Sequence, residues 1–286
     1  MNNLPLILSG KMSDPTRVLY VSSEIFPFLP ETTISRTGRF LPQGVQERGY
    51  EIRSFMPKYG LINERRNQLH EVIRLSGMNI IINDIDRPLI IKVSSISSAR
   101  MQVYFIDNED YFYRKYITKD ENESYLNDNV ERASFFARGV LETVKKLRWK
   151  PDIIHCQGWI AHFLPLYLKK IYQEDPIFTD SKVVLSLYNE GLDQVFGDDI
   201  KPKISVSGIR ARDIEVMNPA NGINLAKLAV QYSDGIIYGE NDLEPELNVL
   251  IEKSTLPTLG FIDTSAPNST YVEEYIQFYD KILAKK

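Results

Sequence analysis

The 286-residue chain contains a single cysteine, Cys156, which excludes an internal disulfide framework, so nothing in it demands an oxidising compartment. Long apolar runs are absent too. LPLIL (residues 4–8) is too short for a membrane span or a signal core. It also lacks a basic segment before it and a small-residue exit after it, so residues 1–16 read as a disordered tail and the protein as cytoplasmic. There is no excess of basic charge: 34 Lys and Arg against 38 Asp and Glu give a net charge of −4, which argues against a nucleic-acid partner. Lys145, Lys146, Arg148 and Lys150 do cluster, but at a predicted helix end where they complement the helix dipole. No repeat, low-complexity tract or Pro/Gly/Ser linker divides the chain.

What is present is an apolar pattern that switches period along the chain. RVLYVSSE (17–24), EIRSFMP (51–57), DIIHC (152–156), KVVLSLYN (182–189) and GIIYGE (235–240) read as strands. Between them, residues 34–49 predict a helix closed by Gly49, with Pro42 at a kink or boundary. The clearest helix is 128–148, where Val130, Ala133, Phe136, Ala137, Val140, Leu141, Val144 and Leu147 recur at helical spacing. Asp128 and Glu131 are spaced as a capping box. Further helices are expected over 159–173 and near 221–232. Residues 78–108 hold three strand-like runs that predict an antiparallel extension, and 109–125 read as loop with a short helix. Strands alternating with helices imply one α/β domain: a Rossmann-like, doubly wound, mostly parallel sheet with a β extension and a C-terminal helix.

HCQGWIAHF (155–163) holds two of the three histidines and the only cysteine. It lies at the carboxyl end of a predicted core strand, where open α/β sheets keep their chemistry. A metal site would join His155, Cys156 and His162, but a fourth ligand and a standard zinc spacing are both lacking, so no metal is assigned. Cys156 reads as a small buried hydrophobe rather than a nucleophile. No cofactor is expected.

Three ordered stretches carry a resemblance. VSSEIFPF (21–28) with FLPQGVQERGYEIRSFMPKYG (40–60) resembles the opening of bacterial glycogen synthases and plant starch synthases. VYFIDNEDYFYR (103–114) and DNVERASFFARGVLETVKKLRWKPDIIHCQGWIAHFLPLYLKK (128–170) are similar to their central segments. The resemblance implies the N-terminal, acceptor-side half of a GT-B glycosyltransferase. Such enzymes move glucose from ADP- or UDP-glucose onto an α-1,4-glucan with retention of configuration.

Residue by residue, the resemblance is degenerate at the site. The family's Lys-Thr-Gly-Gly-Leu loop falls on Pro30, Glu31, Thr32, Thr33 and Ile34, which supply neither the phosphate-balancing lysine nor the glycines. Glu31 would repel a diphosphate, and Arg36 and Arg39 lie nearby as replacement charge. The family's His-x-His-Asp-Trp-His-Thr keeps His155 and Trp159, but Gln157, Gly158, Ile160 and Ala161 replace the other four named residues. Tyr188-Asn189 stands for a His-Asn pair. Glu24 matches a family glutamate, which would either bind sugar or hydrogen-bond the loop. The positions the resemblance offers for catalysis are therefore His155, Glu24 and Asn189. Those it offers for substrate binding are Glu24, His155, Gln157, Trp159, Tyr188 and Asn189.

The family's second Rossmann domain, which holds most nucleotide contacts, is expected to be absent from a chain of this length. Residues 17–265 are expected to form the synthase-like domain. In 266–286, Val272, Tyr275, Ile276, Tyr279 and Leu283 suggest one face of a helix packing back on it. That helix reads either as the family's returning helix or as an ordinary covering helix. The first functional expectation is a catalytically impaired relative, a pseudoenzyme that binds α-glucan or a protein partner in glycogen metabolism. The second is an active transferase completed by a separate donor-domain subunit, docked on an exposed apolar face, with self-association through that face a related expectation. The third is a small-molecule site around Glu24, His155 and Asn189.

Overall fold

In the computed structural model of the protein, residues 14–197, 199–264 and 270–284 are described. The expected tail lies largely outside these residues; Asp14 to Thr16 have no regular structure. The β-rich runs form β1 (Arg17–Ser22), β2 (Glu51–Pro57), β3 (His70–Glu71), β4 (Met78–Ile82), β5 (Ile85–Ile96), β6 (Met101–Asp107), β7 (Ile153–Gln157), β8 (Lys182–Leu187), β9 (Gly235–Tyr238) and β10 (Thr258–Leu259). The helices are α1 (Thr33–Glu47), α2 (Glu109–Phe112), α3 (Asn129–Leu147), α4 (Leu164–Tyr167), α5 (Lys201–Ile204), α6 (Gly222–Gln231), α7 (Pro245–Lys253) and α8 (Tyr271–Leu283).

The sheet order is β10-β9-β8-β7-β1-β2-β6-β5-β3, with β4 on β5. From β10 to β6 the strands are parallel, because each crossover carries a helix or a long connection. β5 runs antiparallel to β3, β4 and β6, which is the expected extension.

Strand alternation sorts the core into two layers. Leu19, Val21, Ile154, Cys156 and Leu185 face a cluster that includes α3, residues 159–168 and α6. Val18, Tyr20, Ile153, Val184 and Ile237 face α1 and α8. A 13-residue helix is marginal alone in water. α8 is held by six buried side chains, Tyr271, Val272, Tyr275, Phe278, Tyr279 and Ile282, and full burial of such residues contributes on the order of 2 kcal/mol each.

Three local differences from the sequence reading have identifiable causes. Asp128 does not cap α3; its carboxylate pairs with Arg114 instead, and Glu131 accepts from the Tyr111 hydroxyl at 2.9 Å. Residues 159–173 are not one helix but a 3₁₀ turn over 159–161, α4, and a π-helical stretch over 168–172. Pro165 has no N–H to give to the carbonyl of Ala161, so helical bonding restarts there. α1 continues through Pro42, which is buried with Leu41 and Val45 at the sheet and α8, so packing outweighs the lost bond. It ends before Gly49, which takes φ +90°.

Gly44 measures how closely α8 sits on α1. A Cβ there would lie 2.5 Å from Val272 Cγ2, a β-branched side chain with little freedom to turn away. Gly44→Ala gains about 1 kcal/mol of helix propensity and loses about 1–3 kcal/mol to overpacking. Urea denaturation should therefore show net destabilisation. Combined with Val272→Ala, the same change should become neutral or stabilising relative to Val272→Ala alone.

Candidate functional site at the carboxyl end of the sheet

His155 is fully buried in the middle of β7, two residues before the strand end, on the face covered by α8. Its Nδ1 lies 2.8 Å from the Tyr279 hydroxyl and its Nε2 lies 2.7 Å from Ser186 Oγ. Tyr279 donates onward to the Tyr20 hydroxyl at 3.3 Å. Tyr279 therefore accepts from Nδ1–H, and Ser186 donates to Nε2. Burial pushes the imidazole down to about 3, so the ring is neutral. Cys156 points to the opposite face by alternation, its thiol pushed up by burial. Among the described residues, no cluster of three His, Cys, Asp or Glu is placed to hold a metal ion.

The polar groups at the strand ends proper come from three turns. After β1, Glu24 is 8% exposed, and its Oε2 accepts from Thr32 Oγ1 at 2.5 Å. Thr32 is the N-cap of α1. Its Oγ1 accepts from the Ser35 N–H at 3.0 Å and its own N–H donates to Ser35 Oγ at 2.8 Å. After β7, Gly158 adopts φ +83° and ψ 157°, a conformation closed to most side chains. After β8, Glu190 receives Ser23 Oγ at 3.4 Å and the backbone N–H of Trp159. Burial and the neighbouring Glu24 charge raise the Glu190 carboxyl to about 8, and burial also raises Glu24.

Further polar groups follow from the neighbouring elements. Tyr59, fully buried after β2, feels the charges of Glu24, Glu190 and Arg132, and its hydroxyl has no partner. Arg132, fully buried on α3, donates to the carbonyls of Tyr111 (2.9 Å) and Ile117 (2.5 Å) and to Asn129 Oδ1 (2.6 Å). Trp159 packs beside Gly191, and its Nε1 has no partner. The Gln157 side chain is likewise fully buried with neither amide atom paired. Tyr188 is buried and bonded to Thr37 and Ser186. Asn189 is committed to the next loop, donating to Glu240 Oε2 (2.9 Å) and the Asp242 carbonyl (2.8 Å) and accepting from the Glu244 N–H (2.8 Å).

A family model described as the starch synthase catalytic domain matches residues 17–246. The chain belongs to that family. Glycogen synthase of Chlorobium limicola is 44% identical over 174 residues, covering 60% of this chain and 36% of that protein. Glycogen synthase of Chlorobaculum tepidum is 36% identical over 277 residues, covering 94% of this chain and 56% of that protein. The chain thus spans about half the length of the curated relatives it matches. Among solved structures, the catalytic domain of starch synthase IV from Arabidopsis thaliana, bound to ADP and acarbose, superimposes with a TM-score of 0.66 at 17% identity. The match covers 87% of this chain and 52% of that one. At that identity the likeness shows a shared fold.

Within this family frame, the loop at Pro30, Glu31, Thr32 and Thr33 is the capped entrance of α1. Glu31 is ion-paired with Arg36, while Arg39 is buried and turned to Gln43 (2.6 Å) and Ser98 (3.3 Å). Glu24, Trp159 and Asn189 follow the ends of β1, β7 and β8, each with different partners, whereas His155 joins the sheet to α8. The sequence reading passed over Glu190, Tyr59 and Arg132. Glu190 directly follows the Tyr188-Asn189 pair at a strand end, which is the signal that could have found it.

His162 is buried with both ring nitrogens unpartnered, and burial lowers it to about 4. For His155 and His162 the folded value lies below the ordinary 6.5, so the unfolded chain binds the extra protons. Stability is full above pH 6.5 and falls as pH drops toward 4, by about 1.4 kcal/mol per pH unit for each ring. His162→Leu should remove one contribution. Urea denaturation between pH 4 and 6 should show a slope shallower by about 1.4 kcal/mol per unit, with stability at pH 7 kept or raised.

Proposed function

We propose that this chain is a glycogen/starch synthase-type acceptor-side domain that binds α-glucan and does not transfer glucose by itself. The observation that carries this reading is the carboxyl chemistry at the strand ends, where Glu24 accepts from Thr32, the N-cap of α1, and Glu190 follows in the turn after β8. A diphosphate needs balancing cations there. Glu31 engages Arg36, and Arg39 is turned to Ser98 and Gln43. Ile160 is an apolar, fully buried side chain where the family pattern carries a histidine. Sugar hydroxyls, by contrast, pair readily with carboxyl groups. Of the ADP and acarbose held by the Arabidopsis relative, the carbohydrate suits these residues better. Glu24 and Trp159 would face such a ligand, Asn189 would hold the neighbouring loop in place, and His155, Gln157 and Tyr188 would support them from within the sheet.

A second reading has one observation in its favour. Leu61, Tyr113 and Val195 are exposed apolar side chains on the loops following β2, β6 and β8, at the end of the sheet where a donor domain would dock. In that case a separate polypeptide or another subunit completes an active transferase.

Isothermal titration should show heat with maltoheptaose and none with ADP-glucose, and the purified chain should transfer no radiolabelled glucose from ADP-glucose to glycogen. Transfer by the chain alone would overturn the non-catalytic reading. Transfer that appears only when a donor-domain polypeptide is added would favour the second.

A further inference from the structure

Gly158 and Glu190 occupy one another's space. A Cβ built on Gly158 would lie 2.2 Å from Ser23 Oγ and 3.0 Å from Glu190 Oε2, so a side chain at 158 and the present Glu190 rotamer compete for the same volume. The family pattern places an aspartate at this position. Here the backbone at 158 takes a glycine conformation, and a carboxylate arrives from the turn after β8 instead. It is held from one side by Ser23 Oγ and from the other by the Trp159 N–H, and its like-charged neighbour is Glu24. Unlike Glu24, which is spent on Thr32, Glu190 belongs to a residue partly open to solvent.

We infer that Glu190 and Glu24 form a paired-carboxyl subsite for the hydroxyls of a neutral sugar ring, Glu190 entering the volume that a side chain at position 158 would fill. This rests on the glucan-binding reading above and names the residue that carries it. Two like charges in a partly desolvated site do not both ionise readily, so one carboxyl keeps its proton at neutral pH. The pair then offers one donor and several acceptors, and a sugar hydroxyl can both donate and accept. A diphosphate brings only acceptors and negative charge. The acidic pair does not stand alone: the Tyr59 hydroxyl, fully buried and without a partner, lies within electrostatic reach of both carboxyls, and Trp159, whose backbone N–H meets Glu190, has a buried indole nitrogen that is likewise unpaired. Buried polar atoms seldom stay unpaired, and here they would complete a ring of groups around a bound hydroxyl.

The test is isothermal titration of maltoheptaose into the wild-type chain, Glu190→Gln and Glu190→Ala at pH 7 and pH 9, with thermal melts confirming that each variant folds. Glu190 near 8 is neutral at pH 7 and largely ionised at pH 9, so wild-type affinity should fall about tenfold across that range. Glu190→Gln, a permanently neutral mimic, should keep the pH 7 affinity and lose the fall. Glu190→Ala should bind at least about tenfold more weakly at pH 7, the loss expected on removing a hydrogen-bonding group. Wild-type binding that Glu190→Ala leaves unchanged, or a pH dependence that Glu190→Gln retains, would overturn the assignment of Glu190 while leaving glucan binding intact. No maltoheptaose binding by the wild type at pH 7 would overturn both.

Discussion

The hydroxyl of Tyr279 is the joint on which this architecture turns. It takes the proton of His155 Nδ1, gives its own to Tyr20, and through the imidazole reaches Ser186, so one residue of the last helix fixes three central strands. The face it covers contains Val18, Tyr20, Ile153, Val184 and Ile237, which would otherwise meet water. A neutral, doubly hydrogen-bonded imidazole is an efficient way to end such a chain, because it can accept at one nitrogen while donating at the other. The same bonds fix its tautomer, remove it from solvent and point it away from the strand ends. His155 is thereby a load shared between sheet and helix, and the polar chemistry of the carboxyl edge falls to other residues.

Those other residues invert the electrostatics expected of a nucleotide-sugar loop. A helix N-terminus attracts anions, and glycines with a lysine strengthen that attraction. At α1 the Thr32–Ser35 capping box satisfies backbone donors internally, and Thr32 passes its hydroxyl proton to Glu24. The partial positive charge of the helix is thus met by a carboxyl of the protein itself. Arg36 neutralises Glu31, and Arg39 is folded beneath Phe40 toward Ser98. Each substitution alone would weaken a phosphate site. Together they give a site whose remaining groups suit hydroxyls.

Much of the fold could be read from the sequence because burial imposes periodicity. The apolar runs of β1, β7 and β8 and the helical stripe of α3 are buried in the structure, with Leu147 at the helix end only partly so. Turn-level features were less legible. Asp128 with Glu131 has the spacing of a capping box, but Arg114 competes for Asp128 from fourteen residues away. Pro165 breaks a stretch whose apolar pattern alone suggests one helix. The site was legible only where its residues lie on strand ends. Alternation within IIHCQ already places His155 on the same face as Ile153, which could have marked it as covered rather than free. Tyr59, Arg132 and Glu190 come from separate crossovers, and no local pattern announces that a parallel sheet will gather its turns at one edge.

Energetics bear on why such an edge persists. A carboxyl raised to about 8 by burial and by a like-charged neighbour is costly to keep ionised, and glutamine or a hydrophobe at position 190 would relieve that cost. Arg132 does not relieve it: its guanidinium is spent on the carbonyls of residues 111 and 117 and on Asn129 Oδ1. That buried cation ties residues 111–117 to α3 and lies over the Tyr59 ring. The unpaired amide of Gln157 and indole nitrogen of Trp159 add further desolvation cost to the same edge. The Tyr59 phenol, the Gln157 amide and the Trp159 indole nitrogen, unpaired and buried, each subtract from the stability that the packed sheet supplies.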